Sequence, residues 1–325
     1  MFDNSFSSLL YQYSANPIIT ENLLSMPGLI YTSLSSATNN TILIYKSLRR
    51  FENISLSTQN NIKLSIKIFQ IQMNFRHIYV IITKTFLEVL LLIYYTGDIH
   101  GETRFIKHFI LLNYLTENDL IVILGDAGLN YYGNDKGDSG RKRNLNKWNV
   151  PILCVHGNHE MRPESLATYS EKEWNGGTVY YEEEFPNILF AKDGEIYNID
   201  GISHIALGGA YSVDKFYRLE NGIKWFPDEQ PSDEIKDRVK SKLDSVNWKV
   251  DVVLSHTCPF KYTPTETFLS FVDQSTVDTS TEHWLDDIED KLDYGKWYCG
   301  HWHIDKSIDK LRFVMDDFVC PNQYE

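Results

Sequence analysis

The sequence predicts an α/β fold, in which buried parallel strands alternate with helices that cover them. Two observations carry this prediction. Apolar runs alternate with stretches of helical periodicity from about Leu91 onward, and several of these runs end directly before Gly, Asp or His. With 325 residues, 42% of them hydrophobic and 14% aromatic, the chain can bury a sizeable core.

The predicted strands are short apolar runs. We predict strands over Leu91–Tyr95, Leu120–Leu124, Ile152–Val155 and Val250–Leu254, and a second sheet between Val179 and Leu207. Each of the first four runs is followed by residues that can bind a metal ion. Because the carboxyl ends of neighbouring parallel strands meet at one edge of a sheet, we expect these residues to converge.

The predicted helices follow apolar residues at helical spacing. They cover Thr103–Leu115, Ser232–Val246 and Thr281–Leu292, and Ser232 and Thr281 are the expected N-caps. The Gly- and Asp-rich stretch Gly133–Gly140 predicts a loop. The stretch Gly208–Arg218 mixes flexible, aromatic and basic residues, so it fits a lid over a pocket and structural packing equally well.

Composition changes near residue 95. All seven Trp residues lie after it, and Gly28 is the only one of 18 glycines before it. The net charge is −13, and because residues 1–95 carry seven basic and four acidic residues, the remainder bears −16. An acidic region repels the nucleic-acid backbone, so we expect no stable nucleic-acid binding. The change indicates an N-terminal extension, residues 1–88, before a domain of residues 89–325.

Cysteine usage and the apolar segments bear on location. The four cysteines show no C-x-x-C pairing, so neither a disulfide framework nor a zinc knuckle is indicated. Lys84 and Glu88 interrupt the apolar segment Ile78–Tyr95, and the amino terminus has no signal-peptide pattern. We therefore expect a cytoplasmic protein without a membrane partner.

Five short segments carry the chemistry. In order they are Gly97-Asp98-Ile99-His100-Gly101, Gly125-Asp126, Gly157-Asn158-His159-Glu160, Ser255-His256 and Gly300-His301-Trp302-His303. Carboxylate oxygen, amide oxygen and neutral imidazole nitrogen are common ligands of divalent metals. The ordered set resembles the calcineurin-like metallophosphoesterase superfamily, whose pattern D-x-H, GD, GNH[DE], H and GHxH is matched from Asp98 to His303.

The resemblance implies a fold and a metal site. The fold is a four-layer sandwich of two facing mixed β-sheets flanked by helices, formed here by residues 89–325. Two divalent ions are implied, with manganese the first expectation and iron, zinc, nickel or cobalt also compatible. The implied ligands are Asp98, His100 and His303 for the first ion, Asn158, His256 and His301 for the second, and Asp126 as the bridge.

The implied reaction is hydrolysis of a phosphomonoester or small phosphodiester by a hydroxide that bridges ions about 3.5–4 Å apart. Besides Asp126, the catalytic candidate is His159, which would donate a proton to the leaving oxygen. Asn158, Arg104 and Arg162 would bind the phosphate of a small molecule or phosphoprotein. The alternatives are a protein or nucleotide phosphatase proper, and a scaffold that has lost catalysis.

One departure from the family pattern concerns the second motif. Ser/Thr protein phosphatases extend it as G-D-x-V-D-R-G, and the later Asp supports the catalytic histidine. In this chain Leu129 and Asn130 stand at the second Asp and the Arg of that pattern. The Asp-His pair is therefore missing in that form, and Asp135 could replace the Asp only if its loop folds back.

Overall fold

The structure is a computed structural model that describes residues 91–133, 136–270 and 272–320. The predicted extension over residues 1–88, most of the apolar segment Ile78–Tyr95, and Asp135 lie outside these ranges. Within them, no helix is long and apolar enough to cross a membrane.

The first sheet has six strands. They are β1 (Ile93–Thr96), β2 (Leu120–Ile123), β3 (Ile152–Cys154), β4 (Ser170–Trp174), β5 (Gly177–Tyr181) and β6 (Ile188–Ala191), in the spatial order β1-β2-β3-β6-β5-β4. Strands β1, β2, β3 and β6 pair in parallel, whereas β5 pairs antiparallel with both of its neighbours, β6 and β4. The parallel half therefore places the carboxyl ends of β1, β2 and β3 side by side.

The second sheet also has six strands. They are β7 (Ile196–Ile199), β8 (Ile202–Leu207), β9 (Lys249–Ser255), β10 (Asp293–Cys299), β11 (Lys306–Ile308) and β12 (Leu311–Phe313), in the order β11-β12-β10-β9-β8-β7. Strands β8, β9, β10 and β12 are parallel, and the two edge strands are antiparallel. Strands β9 and β10, which precede two of the motifs, are neighbours.

The α-helices of the described residues are α1 (Thr103–Asn113), α2 (Lys136–Asn146), α3 (Lys215–Glu220), α4 (Asp233–Ser245) and α5 (Ser280–Glu289). Short 3-10 helices cover Pro163–Ser165, Phe260–Tyr262, Thr265–Thr267 and Gln274–Thr276. Helices α1 and α2 pack on the outer face of the first sheet. Helices α4 and α5 pack on the outer face of the second sheet.

The core between the sheets follows from strand alternation. Ile93 and Tyr95 point into the layer between the sheets, while Tyr94 joins the cluster under α1. The ring of Tyr95 stacks on Tyr298 of the opposite sheet, with centroids 4.2 Å apart. Three apolar clusters thus separate four layers, which confirms the predicted four-layer sandwich of two mixed sheets.

Three sequence predictions need correction. Gly133–Gly140 is a loop only at its start, because α2 begins at Lys136. Asp138 in its first turn accepts hydrogen bonds from the backbone N–H groups of Tyr132 and Gly133. The region Val179–Leu207 does not form one sheet, since β5 and β6 belong to the first sheet and β7 and β8 to the second.

The third correction concerns a helix start. Helix α5 begins at Ser280, and the Thr281 hydroxyl donates to Gln230 Oε1 instead of capping the helix. Ser232 does cap α4, since its side chain accepts a hydrogen bond from the N–H of Ile235. Ser and Thr are both common N-cap residues, so the sequence could not show that Thr281 would instead bond to Gln230.

Candidate metal centre

Residues of the five motifs follow five strands of the two sheets. Asp98 and His100 follow β1, Asp126 follows β2, Asn158 and His159 follow β3, His256 follows β9, and His301 and His303 follow β10. The strands end at the same side of the sandwich, so these residues meet in one place, as the strand pattern predicts.

Several of these residues adopt left-handed backbone conformations. The φ angles are 44° at His100, 46° at Asp126, 67° at His301 and 52° at His303. Such angles are uncommon outside glycine and are typical of functional sites, where surrounding structure holds them. The segment from His301 to His303 is therefore not an extended strand. Its two imidazoles nevertheless reach different partners.

Glycines allow the motifs to approach one another closely. A Cβ atom added to Gly125 would lie 2.0 Å from Nδ1 of His256, and one added to Gly300 would lie 2.3 Å from Oδ1 of Asp98. No side chain fits at these distances. Gly125 and Gly300 therefore each make room for a ligand candidate of another motif.

The first cluster comprises Asp98, His100 and His303. Nε2 of His303 lies 3.3 Å from Oδ2 of Asp98 and 3.4 Å from Nε2 of His100. Burial alone would raise the pKa of Asp98, but His256 and hydrogen bonds from His303 and the His301 N–H lower it to about 2. Asp98 is therefore ionised at neutral pH, as a metal ligand must be.

The second cluster centres on His256 and Asn158. Nε2 of His256 lies 2.7 Å from Oδ1 of Asn158 and 3.7 Å from Oδ1 of Asp126. Nδ1 of His301 lies 3.1 Å from the same Asn158 oxygen. Asp98, Asp126 and His256 together form a second group whose ligand atoms lie close enough to share one ion.

The chemistry of this cluster suits a cation. Nδ1 of His256 donates to the carbonyl oxygen of Leu124 at 2.8 Å, which leaves a lone pair on Nε2. The amide nitrogen of Asn158 donates a hydrogen bond to Ser212 Oγ at 2.8 Å, so the amide oxygen of Asn158 faces the imidazole of His256. Two acceptors thus point at each other beside the carboxylate of Asp126. A positive ion between them would satisfy all three.

His159 borders both clusters. Its N–H donates to Oδ1 of Asp126 at 2.8 Å, and its Nε2 lies 3.5 Å from Nη2 of Arg218. Burial lowers the pKa of His159, and Arg218 acts in the same direction although Asp126 and Asp214 oppose it. Buried Leu129 stands at the position of the family's supporting Asp, and the next residue, Asn130, accepts a hydrogen bond from the Tyr169 hydroxyl.

The two predicted substrate arginines lie in different surroundings. Arg104 is exposed at the start of α1, where its guanidinium is paired with Glu102. Arg162 is buried, and it donates to Oδ2 of Asp193 at 2.6 Å and to the carbonyl oxygen of Asp228 at 2.8 Å. Neither side chain lines a cavity at the motif cluster. Phosphate binding by these residues stays a prediction.

Sequence reasoning assigned no role to several residues at this site. Ser212 fixes the Asn158 amide, and Arg141 and Arg218 approach the cluster from α2 and α3. One oxygen of Glu160 lies within hydrogen-bonding distance of the N–H groups of Gly157 and Ala127 and so ties two motif loops together. For Glu160 a signal existed, because the family pattern ends in Asp or Glu. Ser212 and Arg218 lie in the stretch Gly208–Arg218, which the sequence marked as fitting a lid or structural packing, and for Arg141 there was no signal.

Two cavities flank the cluster. The first, about 350 Å³, is called here the apolar cleft, and its apolar lining includes Phe260, Phe268, Leu269, Val272, Val277 and Trp302. Carboxylates of Asp278 and Glu282 also line it. The second, about 340 Å³, is called the cationic cleft, and it is lined by His100, Gly128, Tyr131, Tyr132, Arg141, His159, Arg218 and Ile223.

Two comparisons with known proteins gave matches. A family model described as calcineurin-like phosphoesterase matches residues 91–305. A solved structure, that of TT1561 from Thermus thermophilus, is 14% identical and aligns with a TM-score of 0.42 over 70% of this chain and 89% of that one. A search of curated proteins found no match.

Proposed function

Because the chain belongs to the calcineurin-like phosphoesterase family, we propose that it is a hydrolase of phosphomonoesters or small phosphodiesters that works with two divalent metal ions. Family membership implies phosphorylated substrates and divalent metals. The dinuclear mechanism, the preference for manganese, a small-molecule or phosphoprotein substrate and a cytoplasmic location are parts of the proposal.

One observation carries the proposal. Acceptor atoms of Asp98, Asp126, Asn158, His256 and His303 gather at the ends of five strands, on backbone that is left-handed at several motif residues. A scaffold that had lost catalysis would be free to lose such ligands and such strained backbone. The retained set favours an enzyme.

The residues present fit two ions. Asp98, His100 and His303 would hold the first, Asn158, His256 and His301 the second, and Asp126 would bridge them. When bound, the ions would acidify a water molecule and neutralise the charge of the transferring phosphoryl group. The hydrogen bond from Nδ1 of His256 to the Leu124 carbonyl keeps Nε2 free for its ion.

His159 would act on the leaving group. Its backbone N–H is anchored on Asp126, so its imidazole stands at the rim of the cluster, where both clefts meet. When protonated, the His159 imidazole would pass a proton to the leaving oxygen, and the adjacent Arg218 would stabilise negative charge there. Asn158 would orient the phosphoryl group through the side-chain geometry that Ser212 fixes.

The test is manganese-supported hydrolysis of an aryl phosphomonoester and the corresponding aryl diester, with Asp126→Asn as the comparison protein. We expect turnover of at least one ester and a loss of roughly a thousandfold in the variant, because a bridging carboxylate becomes a poorer ligand. Near-normal activity of a folded, metal-loaded variant would overturn the role of Asp126. If the wild-type protein hydrolyses neither ester, its metal content decides between an enzyme that lacks the right metal or substrate and a scaffold that binds no metal.

A further inference from the structure

The cationic cleft has a charge pattern that the chain as a whole does not share. The protein has a net charge of −13, yet the cleft is lined by the guanidinium groups of Arg141 and Arg218, and no carboxylate among the described residues lines it. Lys224 lies nearby, with Nζ 5.8 Å from the centre of the Tyr132 ring. A cavity of this size is suited to part of a small ligand, and the ligand's charge would be negative.

Arg218 is held so that the Nη2 edge of its guanidinium faces His159. Its Nε donates to Oδ2 of Asp214 at 2.7 Å and its Nη1 to the carbonyl oxygen of Lys224 at 3.1 Å. These bonds fix the plane of the guanidinium and leave Nη2 directed toward Nε2 of His159. A group bound at this edge would therefore lie next to the leaving-group side of the metal centre.

Arg141 reaches the cleft through space made by glycine. Its Nη1 donates to the carbonyl oxygen of Gly128 at 2.9 Å, and its Cζ and Nε lie only 2.6 Å from the position of a Cβ on Gly101. Gly101 also has a φ of 78°, which side-chain-bearing residues rarely adopt. The residue next to His100 is thus shaped to admit this guanidinium.

We propose that the cationic cleft binds a second anionic group of the substrate, of the phosphate class, one linker away from the phosphoester that is cleaved. The assignment rests on the proposed function. Guanidinium groups bind phosphate through paired charge-assisted hydrogen bonds, and Arg141 and Arg218 would share this role. The scissile group belongs at the metal ligands, and only His100 of those ligands lines the cleft.

The first test compares 1,3-propanediol bisphosphate with 1,3-propanediol monophosphate as substrates. We expect kcat/KM to favour the bisphosphate by about tenfold or more, and Arg141→Gln to remove most of that preference. Arg141→Lys keeps the charge without the paired donors and should give an intermediate ratio. Arg143→Gln is the matched control, since Arg143 lies on the same helix but is exposed and paired with Glu184.

A second test does not depend on turnover. Metal-free protein is titrated with methylenebisphosphonate in a calorimeter, and we expect binding that weakens about tenfold in Arg141→Gln and in Arg218→Gln but not in Arg143→Gln. If no ester is hydrolysed while this pattern holds, the proposed function fails and the anion site stands. Equal affinity in all variants overturns the site. If the arginine variants weaken binding of methylenebisphosphonate but the wild-type enzyme does not prefer the bisphosphate ester, the cleft binds anions but not a second group of the substrate.

Discussion

The two clefts beside the metal centre have similar volumes and opposite character. The apolar cleft, about 350 Å³, combines aromatic and aliphatic side chains with Asp278 and Glu282, whereas the cationic cleft, about 340 Å³, has two arginines and no carboxylate from the described residues. His159 lines both. Under the proposed function, the two sides of a bound phosphoester would therefore face surroundings of opposite character.

The origin of the two clefts explains this contrast. The apolar cleft is built largely by the segment after β9, which contains three short 3-10 helices. The cationic cleft is built by the loop after β2 and by α2 and α3. The cleft-lining parts of these segments lie further along the chain than the strand-end residues that are the ligand candidates. Substrate discrimination can thus change while the metal centre stays the same.

The largest expected effect comes from a ligand of the candidate metal centre that both clefts border. His256→Ala should lower kcat/KM by roughly a thousandfold for every ester, because the second ion loses a ligand that both substituent sides depend on. Paired kinetics on an aryl monophosphate and a bisphosphate, with metal content from elemental analysis, measure this. His108→Ala, on the exposed face of α1, is the control. A large loss on one substrate only would contradict a shared centre.

A second prediction concerns how the stability of the core between the two sheets depends on pH. His204 is buried between the sheets, with Nδ1 donating to the Ile202 carbonyl at 2.9 Å and Nε2 accepting from the Tyr95 hydroxyl at 2.7 Å. Burial lowers the pKa of His204 from 6.5 to about 4, so between these values the unfolded chain binds the proton and the folded chain does not. Stability therefore falls as pH drops from about 6.5 to 4, by up to about 3 kcal/mol for this group.

Denaturant unfolding of wild type and His204→Gln across this pH range isolates the contribution of His204. Gln can keep one or both hydrogen bonds without titrating, so its stability should vary less with pH. Other acidic groups titrate in both proteins and cancel in the difference. Identical pH dependence of the two proteins would show that His204 does not titrate in this way, and activity on both substrate types should fall together as the fold is lost.

The third prediction tests whether the apolar cleft binds an aryl group of the substrate. Phe268→Ala should lower kcat/KM for an aryl ester about tenfold relative to a short alkyl ester, since burial of an aromatic ring against a substrate contributes about 1.5–3 kcal/mol. Phe268 lines the apolar cleft and its ring is 6.1 Å from that of Trp302. Phe216→Ala removes an exposed ring of α3 that lines neither cleft. An unchanged aryl-to-alkyl ratio would remove the apolar cleft from substrate binding.

The smallest expected effect sharpens the contrast in charge. Raising the ionic strength from about 0.01 to 0.15 M shortens the Debye length from about 30 to 8 Å, so attraction to the partly buried guanidinium groups of Arg141 and Arg218 weakens. The bisphosphate preference should fall several-fold over this range, whereas the aryl-to-alkyl ratio should change little. Steady-state rates at fixed pH and metal concentration measure both ratios, and equal salt dependence of the two would argue against separate roles for the clefts.

Much of the fold could be predicted because its signals are local. Apolar runs at β1, β2, β3 and β9 mark buried strands, and the residues directly after them carry the ligand chemistry. Helix α4 was predicted with its cap because Ser232 and the apolar spacing lie in one short stretch. Helix α2 was missed because its polar, Gly-containing sequence is stabilised by tertiary contacts, among them the ion pair of Lys142 with Glu182.

The sequence by itself determined the α/β class, the order of the strand-end motifs and the types of ligand they offer, because each depends on residues adjacent in the chain. Only the tertiary structure decided how Asn158 is oriented by Ser212, 54 residues away, and how Arg218 meets His159 across 59 residues. The physical reason is that a strand pattern fixes burial over a few residues, whereas the direction of a polar side chain depends on a partner whose distance along the chain carries no signal.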